Sequence, residues 1–131
     1  MLKFHHTGVL VGNMDEAIAN YAGLFGELNV SEVYLIESQK VKVCFIRVSD
    51  DVYVELVQPL NEQSSVHKLL KRNTSYYHIA YMVSDIEREV QNLVNLNYKP
   101  LEFFNSEAFD GKRCIFLFSP DAHLIELIQA A

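Results

Sequence analysis

The 131-residue sequence has few cysteines and prolines, no long hydrophobic run and no excess of positive charge. Its 11 Lys and Arg residues are outnumbered by 17 Asp and Glu residues, which gives a formal net charge of −6. An acidic chain without a long basic run is a poor partner for nucleic acid or for an anionic membrane surface. We therefore expect neither of these as a main partner.

Apolar stretches in this chain stay well short of the roughly 18 residues that a membrane span requires. The first residues also contain no long apolar segment of the kind found in targeting signals. The two cysteines, Cys44 and Cys114, lie inside apolar runs, so we expect buried free thiols, which suit a reducing compartment. The otherwise ordinary composition excludes collagen-like, coiled-coil and disordered classes, and we predict a cytoplasmic globular protein.

The sequence repeats itself after about half its length. The apolar segment that begins at His6 aligns with the one that begins at His78, 72 residues later. The segment around Glu55 aligns with the segment around Glu126, 71 residues later. The His precedes the Glu by 49 residues in the first copy and by 48 in the second. A recurrence of both polar residues inside apolar strands, in the same order and at nearly the same distance, indicates a duplicated module.

Each copy has the pattern of one strand, one helix and three further strands. Apolar residues at helical spacing follow capping-type starts near Asn13 and Ser84. The predicted strands cover residues 4–11, 31–37, 41–48, 52–58, 77–83, 100–104, 113–118 and 123–129.

These elements predict an α+β fold of two tandem β-α-β-β-β modules with about eight strands. We place the first module at residues 1–60 and the second at residues 74–131, with a linker that contains a short helix at residues 61–73. Residues 105–112 form the longest stretch without a predicted element. This segment either covers a ligand or is an ordinary surface connection.

Two histidines and two glutamates lie in strands that are otherwise apolar. Because burying an unpaired carboxylate is costly, such groups are paired, protonated or bound to metal. Imidazole and carboxylate together suit Zn, Ni, Co, Fe or Mn, and four ligands leave room for water or substrate. The alternative is a set of satisfied polar residues at sheet edges. The sequence favours a metal site, which takes one His and one Glu from each copy: His6, Glu55, His78 and Glu126.

With these residues the chain resembles the vicinal oxygen chelate superfamily, and within it the branch of glyoxalase I and methylmalonyl-CoA epimerase. The resemblance covers essentially the whole chain and is strong at residues 4–11, 77–86 and 124–129. It implies the glyoxalase/bleomycin resistance/dihydroxybiphenyl dioxygenase fold, in which the paired modules form a cupped eight-stranded mixed sheet around a divalent metal, and it implies a homodimer. The family's four ligand positions match His6, Glu55, His78 and Glu126.

The resemblance also implies a reaction. Glyoxalase I and the epimerases remove a proton from a carbon next to a carbonyl, so we expect a metal-dependent lyase or isomerase that acts on a small carbonyl compound or thioester. Family members move the proton with the residue at the position of Glu126, and Glu55 is the candidate for the opposite face of the substrate. A Glu at position 55 is typical of glyoxalase I, whereas residues 55–66 are most similar to acyl-CoA epimerases. Some epimerases carry a further glutamate base, for which this chain has Val43.

Two other functions compete with this interpretation. A metal-free drug-binding protein of the bleomycin-resistance type has the same fold, but it is expected to lack the metal ligands, and all four are present here. An extradiol-type oxygenase binds iron with two His and one carboxylate, so Glu55 as a fourth ligand argues against it. We expect His5, His67 and His123 to have packing or surface roles.

Overall fold

The computed structural model describes residues 1–131, which form eight strands and three helices. The strands are β1 (Lys3–Leu10), β2 (Val30–Ile36), β3 (Val41–Ser49), β4 (Val52–Pro59), β5 (Tyr76–Val83), β6 (Lys99–Ser106), β7 (Lys112–Phe118) and β8 (Leu124–Gln129). The helices are α1 (Met14–Phe25), α2 (His67–Lys71) and α3 (Ile86–Asn95), and none of them has the length and apolar character to cross a bilayer.

The strands form one mixed sheet in the order β2-β3-β4-β1-β5-β8-β7-β6. Each half of the chain follows the predicted order of one strand, one helix and three strands, and α2 is the predicted helix between the halves. The predicted α+β class and the eight-stranded mixed sheet are therefore confirmed.

Two compact units make up the chain. The N-terminal unit is continuous and comprises His6–Tyr77, whereas the C-terminal unit combines Met1–His5 with His78–Ala131. Strands β1 and β5 each run through both units. The module limits given above, 1–60 and 74–131 with a linker at 61–73, stay a prediction.

In the N-terminal unit, α1 packs on one face of the strands. Strand β1 runs parallel to β4, and β3 is antiparallel to both β2 and β4. The helix begins where the Asn13 side chain accepts a hydrogen bond from the Glu16 amide at 3.1 Å, as the capping-type pattern predicts. Gln58 of β4 accepts a second bond from the Met14 amide at 2.8 Å. The core beneath the helix is built from Met14, Cys44, Ile46 and Leu56.

The C-terminal unit has the same construction. Strand β5 runs parallel to β8, and β7 is antiparallel to both β6 and β8. The Asp85 side chain caps α3 by accepting from the Arg88 amide at 3.2 Å, and Gln129 of β8 accepts from the Ile86 amide at 2.9 Å. The core residues are Val83, Ile86, Leu93, Ile115, Leu117, Ile125 and Leu127.

The prediction of an irregular stretch over residues 105–112 is wrong in its extent. Strand β6 continues through Ser106, a single 3₁₀ turn follows at Glu107–Phe109, and β7 begins at Lys112. The Gly111 amide donates to the Ser106 carbonyl at 2.8 Å, which closes the turn. The connection is therefore short, because both strands extend further than the side-chain pattern predicts. Backbone hydrogen bonds, which that pattern does not reveal, cause this extension.

Candidate metal centre

His6 and Glu55 form a buried pair in the N-terminal unit. His6 lies on β1 and Glu55 on β4, and the parallel register places Gly8 opposite Glu55, so the imidazole reaches the carboxylate diagonally. The His6 Nε2 atom lies 3.3 Å from the Glu55 Oε1 atom. His6 is 0% exposed and Glu55 is 7% exposed. The two strands thus bring together a nitrogen donor and an oxygen donor away from solvent.

The C-terminal unit repeats this pair with His78 and Glu126. His78 lies on β5 and Glu126 on β8, and the register places Ala80 opposite Glu126. The His78 Nε2 atom lies 3.2 Å from the Glu126 Oε1 atom, and these residues are 1% and 4% exposed. The His–Glu arrangement of the N-terminal unit is therefore repeated in the C-terminal unit.

The same local sequence produces both pairs. Side chains alternate between the two faces of a strand, so the His shares a face with the residue two positions later. In each copy that residue is small, Gly8 or Ala80, and it is the direct neighbour of the Glu. The imidazole and the carboxylate therefore lie on one face with little side-chain volume between them.

A phenylalanine flanks each glutamate on the other side. Phe45 of β3 pairs with Glu55, and Phe116 of β7 pairs with Glu126. Residue type alone does not distinguish either phenylalanine, because Phe is an ordinary residue in an apolar strand. They are 71 residues apart, as the two glutamates are, and this shared spacing is the signal that identifies them.

The donor atoms fit a divalent metal ion. Zinc and similar ions bind imidazole nitrogen and carboxylate oxygen at about 2.0–2.2 Å. Two donors at about 2.1 Å from one ion and 3.2 to 3.3 Å apart make an angle of about 100° at the ion. Such an angle lies between the octahedral and the tetrahedral value, so each pair suits the metals predicted from the sequence.

The other histidines of the sequence, and Val43, lie outside the two pairs. His5 contacts the ring of Phe109 edge-on, with centroids 5.4 Å apart. His67 lies half-buried in α2, and His123 is exposed before β8. Val43 is buried on the face of β3 that also carries Phe45, so the position implied for an extra glutamate base holds an aliphatic side chain.

Comparison with known proteins identifies the family. Residues 5–118 match the family described as the Glyoxalase/Bleomycin resistance protein/Dioxygenase superfamily. The chain belongs to this superfamily, which confirms the resemblance found in the sequence.

Similar proteins include one curated relative and several solved structures. The chain is 27% identical over 132 residues to the uncharacterized protein YqjC of Bacillus subtilis (strain 168), with coverage of 98% of this chain and 93% of YqjC. Methylmalonyl-CoA epimerase from Mycobacterium tuberculosis superposes with a TM-score of 0.87 at 22% identity, over 98% of this chain and 88% of that chain. A variant of the Streptomyces coelicolor methylmalonyl-CoA epimerase, in complex with 2-nitronate-propionyl-CoA, gives a TM-score of 0.86 at 25% identity, over 100% and 99% of the two chains.

Proposed function

We propose that the chain is a divalent-metal-dependent lyase or isomerase of the glyoxalase and methylmalonyl-CoA epimerase type. The observation that carries this proposal is the buried His–Glu pair at the same strand positions of both units, with donor separations of 3.3 and 3.2 Å. In this proposal one ion of Zn, Ni, Co, Mn or Fe is bound by all four side chains: His6, Glu55, His78 and Glu126.

Charge balance supports this ligand set. Two neutral imidazoles and two carboxylates together carry a charge of about −2, which offsets the charge of a divalent ion. Buried carboxylates are costly when they lack a compensating positive charge, and Glu55 and Glu126 are both buried. A metal ion therefore stabilises the ionised form of both side chains.

The proposed chemistry is proton transfer at a carbon next to a carbonyl. When bound, the metal ion supplies a Lewis acid that stabilises the negative charge developing on the substrate oxygen. The Glu126 carboxylate accepts the proton from the carbon and returns it, because it is an oxygen base among the proposed metal ligands and the family that this chain resembles uses the residue at its position for this transfer. Glu55 provides a second carboxylate for the opposite face of the substrate. Val43 has no titratable group, so any second base must be another residue, and Glu55 is our candidate.

The substrate class to assay first is an acyl-CoA thioester. Two of the similar structures are methylmalonyl-CoA epimerases, and one of these is bound to 2-nitronate-propionyl-CoA. Glutathione hemithioacetal and other small carbonyl compounds are the second class, since Glu rather than Gln at position 55 is typical of glyoxalase I.

Metal content measured by elemental analysis tests the proposed ligands. We expect about one divalent ion per chain in the wild type and little in Glu126→Ala, which loses a buried oxygen donor. Glu102→Ala is the matched control, because it removes an exposed carboxylate from β6 of the same unit. A wild-type protein without metal, even after reloading with Ni, Co, Zn and Mn, contradicts the proposal and favours metal-free ligand binding.

The role of Glu126 in proton transfer is tested separately with Glu126→Gln. We expect the amide to lower the turnover of the metal-loaded enzyme about 10²- to 10⁴-fold, because it cannot accept the proton. Full activity of Glu126→Gln with the metal still bound would rule out this role. The equivalent Glu55→Gln variant measures whether one or two carboxylates are needed.

A further inference from the structure

We propose that Phe45 and Phe116 are positioning residues that hold the imidazole planes of His6 and His78 in the orientation needed for metal binding. This inference rests on the metal site of the proposed function and extends it to two residues that bind no metal themselves. It starts from a His–Phe contact that is present in both units with nearly the same geometry.

In the N-terminal unit, the ring of Phe45 meets the imidazole of His6 edge-on. Their centroids are 5.3 Å apart and their planes are inclined by 73°. The Phe45 side chain is buried, and Tyr53 contacts it edge-on at 6.3 Å and 87°. Because Phe45 also pairs with Glu55 across β3 and β4, one phenyl ring adjoins both members of the His–Glu pair.

In the C-terminal unit, Phe116 has the same relation to His78. The centroids are 5.1 Å apart and the planes are inclined by 80°. Phe104 of β6 stacks on Phe116 with centroids 5.5 Å apart and an inclination of 17°, which restrains the phenyl ring from behind. Phe116 pairs with Glu126 across β7 and β8, so the His–Phe–Glu arrangement of the first unit is repeated, although a different aromatic ring supports the phenyl group.

An imidazole needs such a restraint to be an effective ligand. The torsion that turns a His ring about its Cβ–Cγ bond has a broad energy minimum, so the backbone alone does not fix the direction of the Nε2 lone pair. Edge-to-face packing favours one inclination of the two rings. In metalloproteins, groups behind the ligands commonly orient them and affect affinity. Here a phenyl ring in each unit contacts the imidazole whose Nε2 faces the carboxylate.

Titration with Co²⁺ followed by visible absorption tests this inference, because the band position and intensity report ligand geometry. The test variants are Phe45→Leu and Phe116→Leu, which keep an apolar side chain and lose the planar ring. The matched controls are Ile46→Val and Ile115→Val. They alter the adjacent buried residue of the same strand, which points to the opposite face. If a Leu variant does not fold, Phe→Met at the same position replaces it.

We expect each Phe variant to bind Co²⁺ about 5- to 10-fold more weakly than the wild type and to show a shifted absorption band. The Ile controls are expected to keep the wild-type affinity and band, although urea unfolding shows a comparable loss of stability in both sets. Phe variants with the wild-type spectrum and affinity overturn the inference, as do Ile controls that shift the band equally. A wild type that binds no Co²⁺ overturns the proposed function itself, so the two failures are distinguishable.

Discussion

Gln129 connects the strand that carries Glu126 to the start of α3, and its replacement by leucine tests this connection. Its Oε1 atom accepts from the Ile86 amide at 2.9 Å, and its Nε2 atom donates to the carbonyls of Ser84, Ala130 and Val83 at 2.8, 3.1 and 3.5 Å. Ile86 is buried, so its amide is left without a partner in the variant. The equivalent Gln58 makes a single such bond, to the Met14 amide at 2.8 Å.

The number of these bonds determines how much free energy of unfolding each variant is expected to lose. A neutral hydrogen bond contributes about 1 kcal/mol, and an orphaned buried amide costs about 1–3 kcal/mol. Because Ser84 is exposed and water replaces part of the lost bonding there, we expect Gln129→Leu to lower the free energy of unfolding by about 2 kcal/mol. Gln58→Leu also orphans a backbone amide, that of the equally buried Met14, but loses no further bond, so it is expected to lose about 1 kcal/mol, the lower end of that range. In a chain of this length about 1 kcal/mol corresponds to about 3–5 °C in Tm.

Urea unfolding followed by circular dichroism measures both values in the absence of metal. Gln91→Leu is the control, because Gln91 is exposed on α3 and its side chain bonds only to the nearby Asn95. We expect a change of about 0.5 kcal/mol or less there. Equal losses for Gln58→Leu and Gln129→Leu would refute the reasoning, since the number of bonds would then not determine the cost.

Further predictions concern capping, backbone conformation and a buried thiol. Asn13→Ala and Asp85→Ala each remove a side-chain cap, so each is expected to lower the free energy of unfolding by about 1 kcal/mol in urea titrations; a loss at only one helix would contradict their equivalence. Gly26 ends α1 with φ of 91°, so Gly26→Ala is expected to cost about 1 kcal/mol or more by the same measurement, and an unchanged midpoint would argue against strain there. Burial raises the pKa of the Cys44 thiol above its ordinary value of 9.0, despite its hydrogen bonds with Ser31. The unfolded state therefore loses this proton first as the pH rises, so stability is expected to fall above about pH 9 in the wild type and to fall less in Cys44→Ala; identical pH profiles would exclude the effect.

Much of the fold is predictable because both halves of the sequence carry the same pattern of strands and helix. Asn13 and Asp85 cap the helices from the expected type of position, and the strand limits shift by only a few residues. The His–Glu pairs are predictable for a physical reason: polar residues in apolar strands require partners, and the duplication indicates which ones. Cys44 and Cys114 are both buried and neither forms a disulfide, as their apolar surroundings predict.

Other features depend on contacts that residue types do not encode. The turn after β6 forms because Asp110 adopts a left-handed conformation with φ of 55° and the Gly111 amide bonds back to Ser106. The Asp110-Gly111 pair is a common turn signal, but by itself it does not fix the residue at which β6 ends. The roles of Phe45 and Phe116 are similarly difficult to predict from the sequence, because their contacts with the imidazoles follow from strand register rather than from composition.

The division of β1 between the two units has a consequence for the order of folding. The continuous unit, His6–Tyr77, is synthesised completely before most residues of the other unit. The five residues before it belong with a segment that is synthesised later, and the ring of Phe4 contacts Tyr81 at 6.0 Å. The first five residues can therefore pack in their final positions only after the second half of the chain has been synthesised. An extension or tag fused at Met1 is therefore expected to disturb the C-terminal unit rather than the unit that it adjoins in sequence.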